Sequence, residues 1–122
     1  MADDTSHESF RAELTLRGLT FTEQGVGDAF AFLVEAYPVK DGRNAGKTIP
    51  LAFVLPRDYP SAAPAGVHYR WSGDFGNPPA NPQGSELGGG WQRMSRVVQG
   101  WVPGQRTASH YLGQVDRWLE LV

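Results

Sequence analysis

A chain of 122 residues carrying a formal charge of -2 at neutral pH is long enough for one domain with its own core. Its 40% apolar, 11% aromatic and 20% charged residues are ordinary for a globular chain, and no basic stripe offers itself to phosphate backbones, so a nucleic-acid partner is not expected. Absence of cysteine excludes disulfides and thiolate chemistry, histidines only at 7, 68 and 110 argue against a zinc centre, and no apolar run approaches the roughly 20 residues that cross a bilayer. The polar, acidic start "MADDTSHESF" is unlike a secretory signal, so the reading is a cytoplasmic, single-domain protein over 1–122, with no membrane association, cofactor or metal and with residues 1–6 flexible.

"TSHE" at 5 to 8 has the form of a capping box and predicts a short helix running to about Arg17, stopped by Gly18. Leu19 and Phe21 alternate with Thr20 and Thr22 and suggest a first strand. After "EQGVGD", a second strand is set out by Phe30, Phe32, Val34 and Ala36 on one face. A turn containing Asp41-Gly42 leads to a third strand, about Thr48 to Leu55, in which Leu51, Phe53 and Leu55 alternate with Ala52 and Val54. Pro56, Pro60 and Pro64 then remove backbone donors and fix φ, which predicts a stiff loop carrying Tyr59. "GVHYRW" at 66 to 71 fits a fourth strand, making an antiparallel meander.

Ser72 to Gly90 is so rich in glycine, proline and asparagine that it predicts a long irregular loop, either functional or a spacer. Leu112, Val115, Leu119 and Val122 restore a helical period from about Thr107 or Ser109 onward. Gly88-Gly89-Gly90 is not a phosphate loop, because no Gly-Lys-Ser or Gly-Lys-Thr follows it.

This order, together with "AGKTIPLAFVLPRDYPSAAPAGV" and the later "WVP" at 101 to 103, resembles the ubiquitin-conjugating-enzyme superfamily. The match rests on a glycine turn, a third strand, a Pro-x-x-Tyr-Pro loop and a Trp-x-Pro segment, with Ala63 in place of one proline. "RGL" at 17 to 19 and Gln92-Arg93-Met94-Ser95-Arg96 followed by Trp101-Val102-Pro103-Gly104 are similar to a diverged bacterial branch, prokaryotic family E. The resemblance implies an α+β domain of that family's type: an N-terminal helix, a four-stranded meander, a long active-site loop and a C-terminal helix, without the family's last two helices. It also implies, as partners, an activating enzyme, a ubiquitin-like protein and a deconjugating peptidase, and that the proline and Trp-x-Pro loops lie side by side.

The family transfers a ubiquitin-like carboxyl terminus through a cysteine, which this chain lacks. One reading puts a hydroxyl in its place, with Ser95, six positions before Trp101, as the leading candidate and Ser85, Thr107 and Ser109 in reserve. Serine at its free pKa is a feeble nucleophile and needs a base and a charge clamp. His110 is the candidate base, against a solvated helix-start residue; Asn81 or Asn77 is the candidate oxyanion donor, against a turn-forming Asn-Pro pair. Arg93 and Arg96 would steer the incoming tail, Tyr59 and Trp101 would underlie a partner-binding edge, and Arg11 and Arg17 on the first helix would meet the activating enzyme. The alternative is a non-catalytic binding module in which Trp71, Trp91 and Tyr37, where exposed, anchor a partner. A small-molecule hydrolase is not indicated, since there is no Gly-x-Ser-x-Gly and no triad order.

Overall fold

A computed structural model of the chain describes residues 7–71, 73–76, 78–79, 83–94, 98, 100–102 and 104–122. It is an α+β arrangement of two helices and one antiparallel sheet: α1 (His7–Leu16), β1 (Thr22–Val26), β2 (Ala29–Pro38), β3 (Thr48–Leu55), β4 (Val67–Tyr69), β5 (Gln83–Gly84), β6 (Gln92–Met94) and α2 (Ala108–Leu121). The sheet runs β1-β2-β3-β4-β6-β5.

Helix α1 forms because Phe10 and Leu14, one turn apart, reach the core together and are fully buried. It stops at Gly18, whose φ of 76° only glycine adopts cheaply. There Leu19 N–H donates to Leu14 O and Gly18 N–H to Thr15 O, the paired bonds of a Schellman end. Thr5 of the expected capping box lies outside the described residues.

The pairings of Phe32 with Phe53, Val34 with Leu51 and Leu51 with Tyr69 put the large side chains on one sheet face. Both helices pack on that face: the Phe10 ring stands 5.1 Å from Phe32, Tyr111 stands 5.7 Å from Phe53, and Trp118 stands 5.7 Å from Tyr69. Helix α2 begins at an N-cap, Thr107, whose hydroxyl accepts His110 N–H at 3.1 Å, and it buries Tyr111, Leu112, Val115 and Leu119. The opposite sheet face carries smaller residues, Ala31, Ala52 and Val54, together with His68 and Arg93.

Three expectations are corrected. The first strand is not Leu19–Thr22 but begins at Thr22; Leu19 and Phe21 pack partly buried beside the core, and "TEQGV" pairs with β2 through the Gly27-Asp28 turn, with Gly27 at φ 58°. As an edge strand β1 is exposed along almost its whole length, so it has no buried face to impose alternation. In β2 the register shifts between Val34 and Tyr37, a bulge that turns Ala36 to solvent and puts Tyr37 in the core at 1% exposure.

The sheet, finally, extends beyond the four-stranded meander β1–β4 to six strands. Part of the expected long loop enters it, because β6 pairs along the free edge of β4 and β5 pairs with β6, while Gly73–Phe75 forms a 3-10 turn that buries Phe75. Three residues of β6 and two of β5 are too short to display a period, and the open backbone edge of β4 is what recruits them.

The turn after β2 also closes the far end of α2. Buried Asn44 donates through Nδ2 to Val122 O at 3.1 Å and accepts from Lys47 Nζ at 3.1 Å. Gly42, at φ 90°, lies against the Glu120 backbone. No described helix is long and apolar enough to cross a membrane.

Candidate functional site

The proline loop after β3 and the tryptophan segment before α2 meet at one corner. Trp101 Nε1 donates to Pro60 O at 2.8 Å, and its ring lies 6.1 Å from Tyr59 and 6.1 Å from His110. Tyr59 is buried and packs edge-on against Phe10 at 6.2 Å, so the corner is continuous with the core under α1. Tyr111, in the first turn of α2, donates to Gly66 O at 2.6 Å and ties the other end of the proline loop to the same helix. Prolines supply the stiffness; the indole and phenol supply the fastening.

Of the expected catalytic residues, His110 stands at this corner, half-buried beside Trp101, with its backbone N–H held by Thr107. Ser95, Asn81, Asn77, Arg96 and Pro103 lie outside the described residues. Of the reserve hydroxyls, Thr107 is committed to its cap and Ser109 is exposed on the first turn of α2.

The expected partner-binding arginines of α1 are engaged within the fold. Arg11 forks onto Glu23 of β1 at 2.6 and 2.7 Å, and this hydrogen-bonded pairing lowers the Glu23 pKa and raises that of Arg11. Arg17 donates to Glu13 at 2.9 Å and to Asp116 of α2 at 3.2 Å, while Asp116 also accepts from Tyr37 at 2.6 Å. Burial, then the bond to Asp116, pushes the Tyr37 phenol far up, so it remains a donor across the physiological range. Tyr37 and Trp91 are therefore not exposed anchors: they are 1% and 6% exposed. Trp71 is half-buried and donates to Gly76 O at 2.9 Å.

On the sheet face away from the helices, β4 and the β5–β6 hairpin bring together residues far apart in the chain. His68, 2% exposed, has Nδ1 at 2.7 Å from Ser85 Oγ and Nε2 at 3.9 Å from Glu86 Oε1. Leu87 N–H donates to Ser85 Oγ at 3.1 Å. Arg93, the cross-strand neighbour of His68, donates to Gln83 Oε1 at 2.5 Å, and among the described residues its buried Nε meets no acceptor. Burial pushes the His68 pKa down; Glu86 opposes this and Arg93 adds to it, so the ring is neutral at pH 7.

A cleft of about 130 Å³ opens at His68 and Glu86. In the sequence Ser85 is one reserve hydroxyl among several and His68 a strand residue; their pairing has no motif, because the short strands β4, β5 and β6 that join them show no period. Among the described residues no cluster of three metal-ligating side chains occurs. Comparison of the chain with protein-family models, with curated proteins and with solved structures found no match.

Proposed function

We propose that this chain is a ubiquitin-conjugating-enzyme-like domain of the bacterial branch, working in the cytoplasm, which receives a ubiquitin-like protein from an activating enzyme as an oxyester on Ser95 and passes it to an amine. The observation that carries the reading is the corner where Trp101 donates to Pro60 O and packs on Tyr59, since the resemblance pairs the proline loop with the Trp-x-Pro segment. The meander β1–β4 with a helix before it and a helix after the tryptophan supports the same reading.

In this reading the Ser95 hydroxyl attacks the thioester carbonyl held by the activating enzyme. A C–O bond forms, the C–S bond breaks, and the hydroxyl proton leaves through a base, for which His110 is the candidate. Asn81 is the candidate donor to the tetrahedral oxyanion, and Arg93 and Arg96 guide the carboxyl-terminal tail. An acceptor amine then displaces Ser95, forming the C–N bond, and a deconjugating peptidase reverses the product.

The test is the intact mass of the protein after incubation with ATP, an activating enzyme of this class and its ubiquitin-like protein, with and without Ser95→Ala. An adduct that resists reducing agent, is cleaved by mild base and vanishes in the alanine variant establishes the carrier. Absence of any adduct, with stable binding to either partner, overturns the acyl step and makes the domain a binding module.

A further inference from the structure

We infer that Ser85, His68 and Arg93 form a second acyl-accepting site, on the sheet face opposite the helices, that takes a short acyl group from an activated ester or thioester. It involves none of the residues proposed for transfer through Ser95 except Arg93, and neither reading depends on the other.

The geometry carries the inference in three parts. First, hydroxyl, imidazole and carboxylate stand in order, with Ser85 Oγ 2.7 Å from His68 Nδ1 and His68 Nε2 3.9 Å from Glu86 Oε1. Leu87 N–H occupies one lone pair of Ser85 Oγ, and in the His68 tautomer that carries its proton on Nε2 the serine hydroxyl donates to Nδ1, the arrangement in which an imidazole removes that proton.

Second, a cleft opens beside the imidazole. The cleft beside it is walled by Val54, Pro56, Ala63 and Ala65, with His68 and Glu86 at its polar end. At roughly 30 Å³ per water-sized group, its volume of about 130 Å³ holds about four such groups. That accommodates an acetyl or propionyl unit.

Third, a donor awaits negative charge. Arg93 Nε is buried and meets no acceptor among the described residues, and Arg93 pairs across the strands with His68 on this face. An orphaned, desolvated guanidinium N–H is costly unless something accepts it, and the oxyanion of an acyl-transfer intermediate has the right charge. The neutral state of buried His68 is the one a base requires.

Ser85 Oγ bonds to the acyl carbon while its proton passes to His68 Nδ1; the intermediate collapses with cleavage of the ester C–O or thioester C–S bond, and the departing alkoxide or thiolate takes the proton from His68. Water then attacks the acyl-serine, giving its proton to His68, and Ser85 leaves with that proton as the acid is released.

The experiment uses the full chain and p-nitrophenyl acetate, following p-nitrophenolate release, intact mass and the acetylated peptide. Expected are one acetyl group on the Ser85 peptide, its loss in Ser85→Ala, and a rate at least about 100-fold lower in His68→Gln. The wild-type rate should rise through an apparent pKa below the ordinary histidine value of 6.5 and then level off. Acetylation only at lysines, an unchanged rate in Ser85→Ala, or a rate that climbs with hydroxide without a plateau overturns the site. Should His68→Gln fail to fold, the wild-type pH profile and Ser85→Ala, a change at a partly exposed position, decide between a reactive dyad and a merely structural bond.

Discussion

Arg17 separates a binding role from a folding role most sharply. As a partner-binding residue it would tolerate charge reversal without loss of fold. In the structure its guanidinium bridges Glu13 and Asp116 with its side chain 21% exposed, so Arg17→Glu exchanges two attractions for two repulsions at the seam between α1 and α2. Exposed ion pairs contribute at most about 1 kcal/mol and breaking a buried one costs about 3–5 kcal/mol; a pair one-fifth exposed falls between, near 2 kcal/mol. Repulsion from the two carboxylates adds about 1 kcal/mol, for a total of about 3 kcal/mol. In a domain of this size that is a fall of about 12 °C in Tm.

Arg11→Glu is the control, because its partner Glu23 is a surface residue and screening leaves little to lose. Urea titration followed by tryptophan fluorescence, with the slope unchanged between variants, measures both differences. Calorimetric titration with the activating enzyme, done where both variants are folded, then reads binding alone. In a thermal melt, a midpoint for Arg17→Glu within about 2 °C of wild type would refute the argument that this side chain holds the two helices together.

Trp101→Phe keeps the ring and removes the donor to Pro60 O, so stability should fall by about 1 kcal/mol and hydrogen exchange in the proline loop should quicken; unchanged exchange there would detach the two loops. Folded His68 has a lowered pKa, so at acid pH the unfolded chain binds a proton that the folded chain refuses. Its effect is absent well above 6.5 and, as pH falls from 6.5 toward the folded value, stability should decline by up to about 1.4 kcal/mol per pH unit, a slope that urea titration should lose in His68→Gln. Gly42→Ala would place a Cβ 2.9 Å from Glu120 Cα at a φ of 90°, so it should cost several kcal/mol, about 2 or more, by thermal unfolding, whereas Gly113→Ala, where a Cβ meets nothing within 4 Å, should stabilise by up to about 1 kcal/mol.

Elements whose residues meet a single continuous core could be read from the chain. The large-small alternation of β3, the period of Leu112, Val115 and Leu119 in α2, and the stop at Gly18 all appear where local pattern and burial agree. The proline loop was legible as stiff, because the constraint on φ is covalent; its fastening to Trp101 was not, since that bond joins residues 41 positions apart.

Tertiary structure alone decided the rest. Strand β1, exposed along its edge, carries no hydrophobic signal; β5 and β6 exist because β4 would otherwise end the sheet with unpaired backbone; and the bulge in β2 exchanges Ala36 for Tyr37, which Asp116 then holds. The same late pairing sets Ser85 against His68. A sequence determines what its own neighbours in the chain can enforce; a site assembled from short strands and turns is settled only when the sheet closes, because each contact depends on residues whose separation in sequence says nothing of their distance in space.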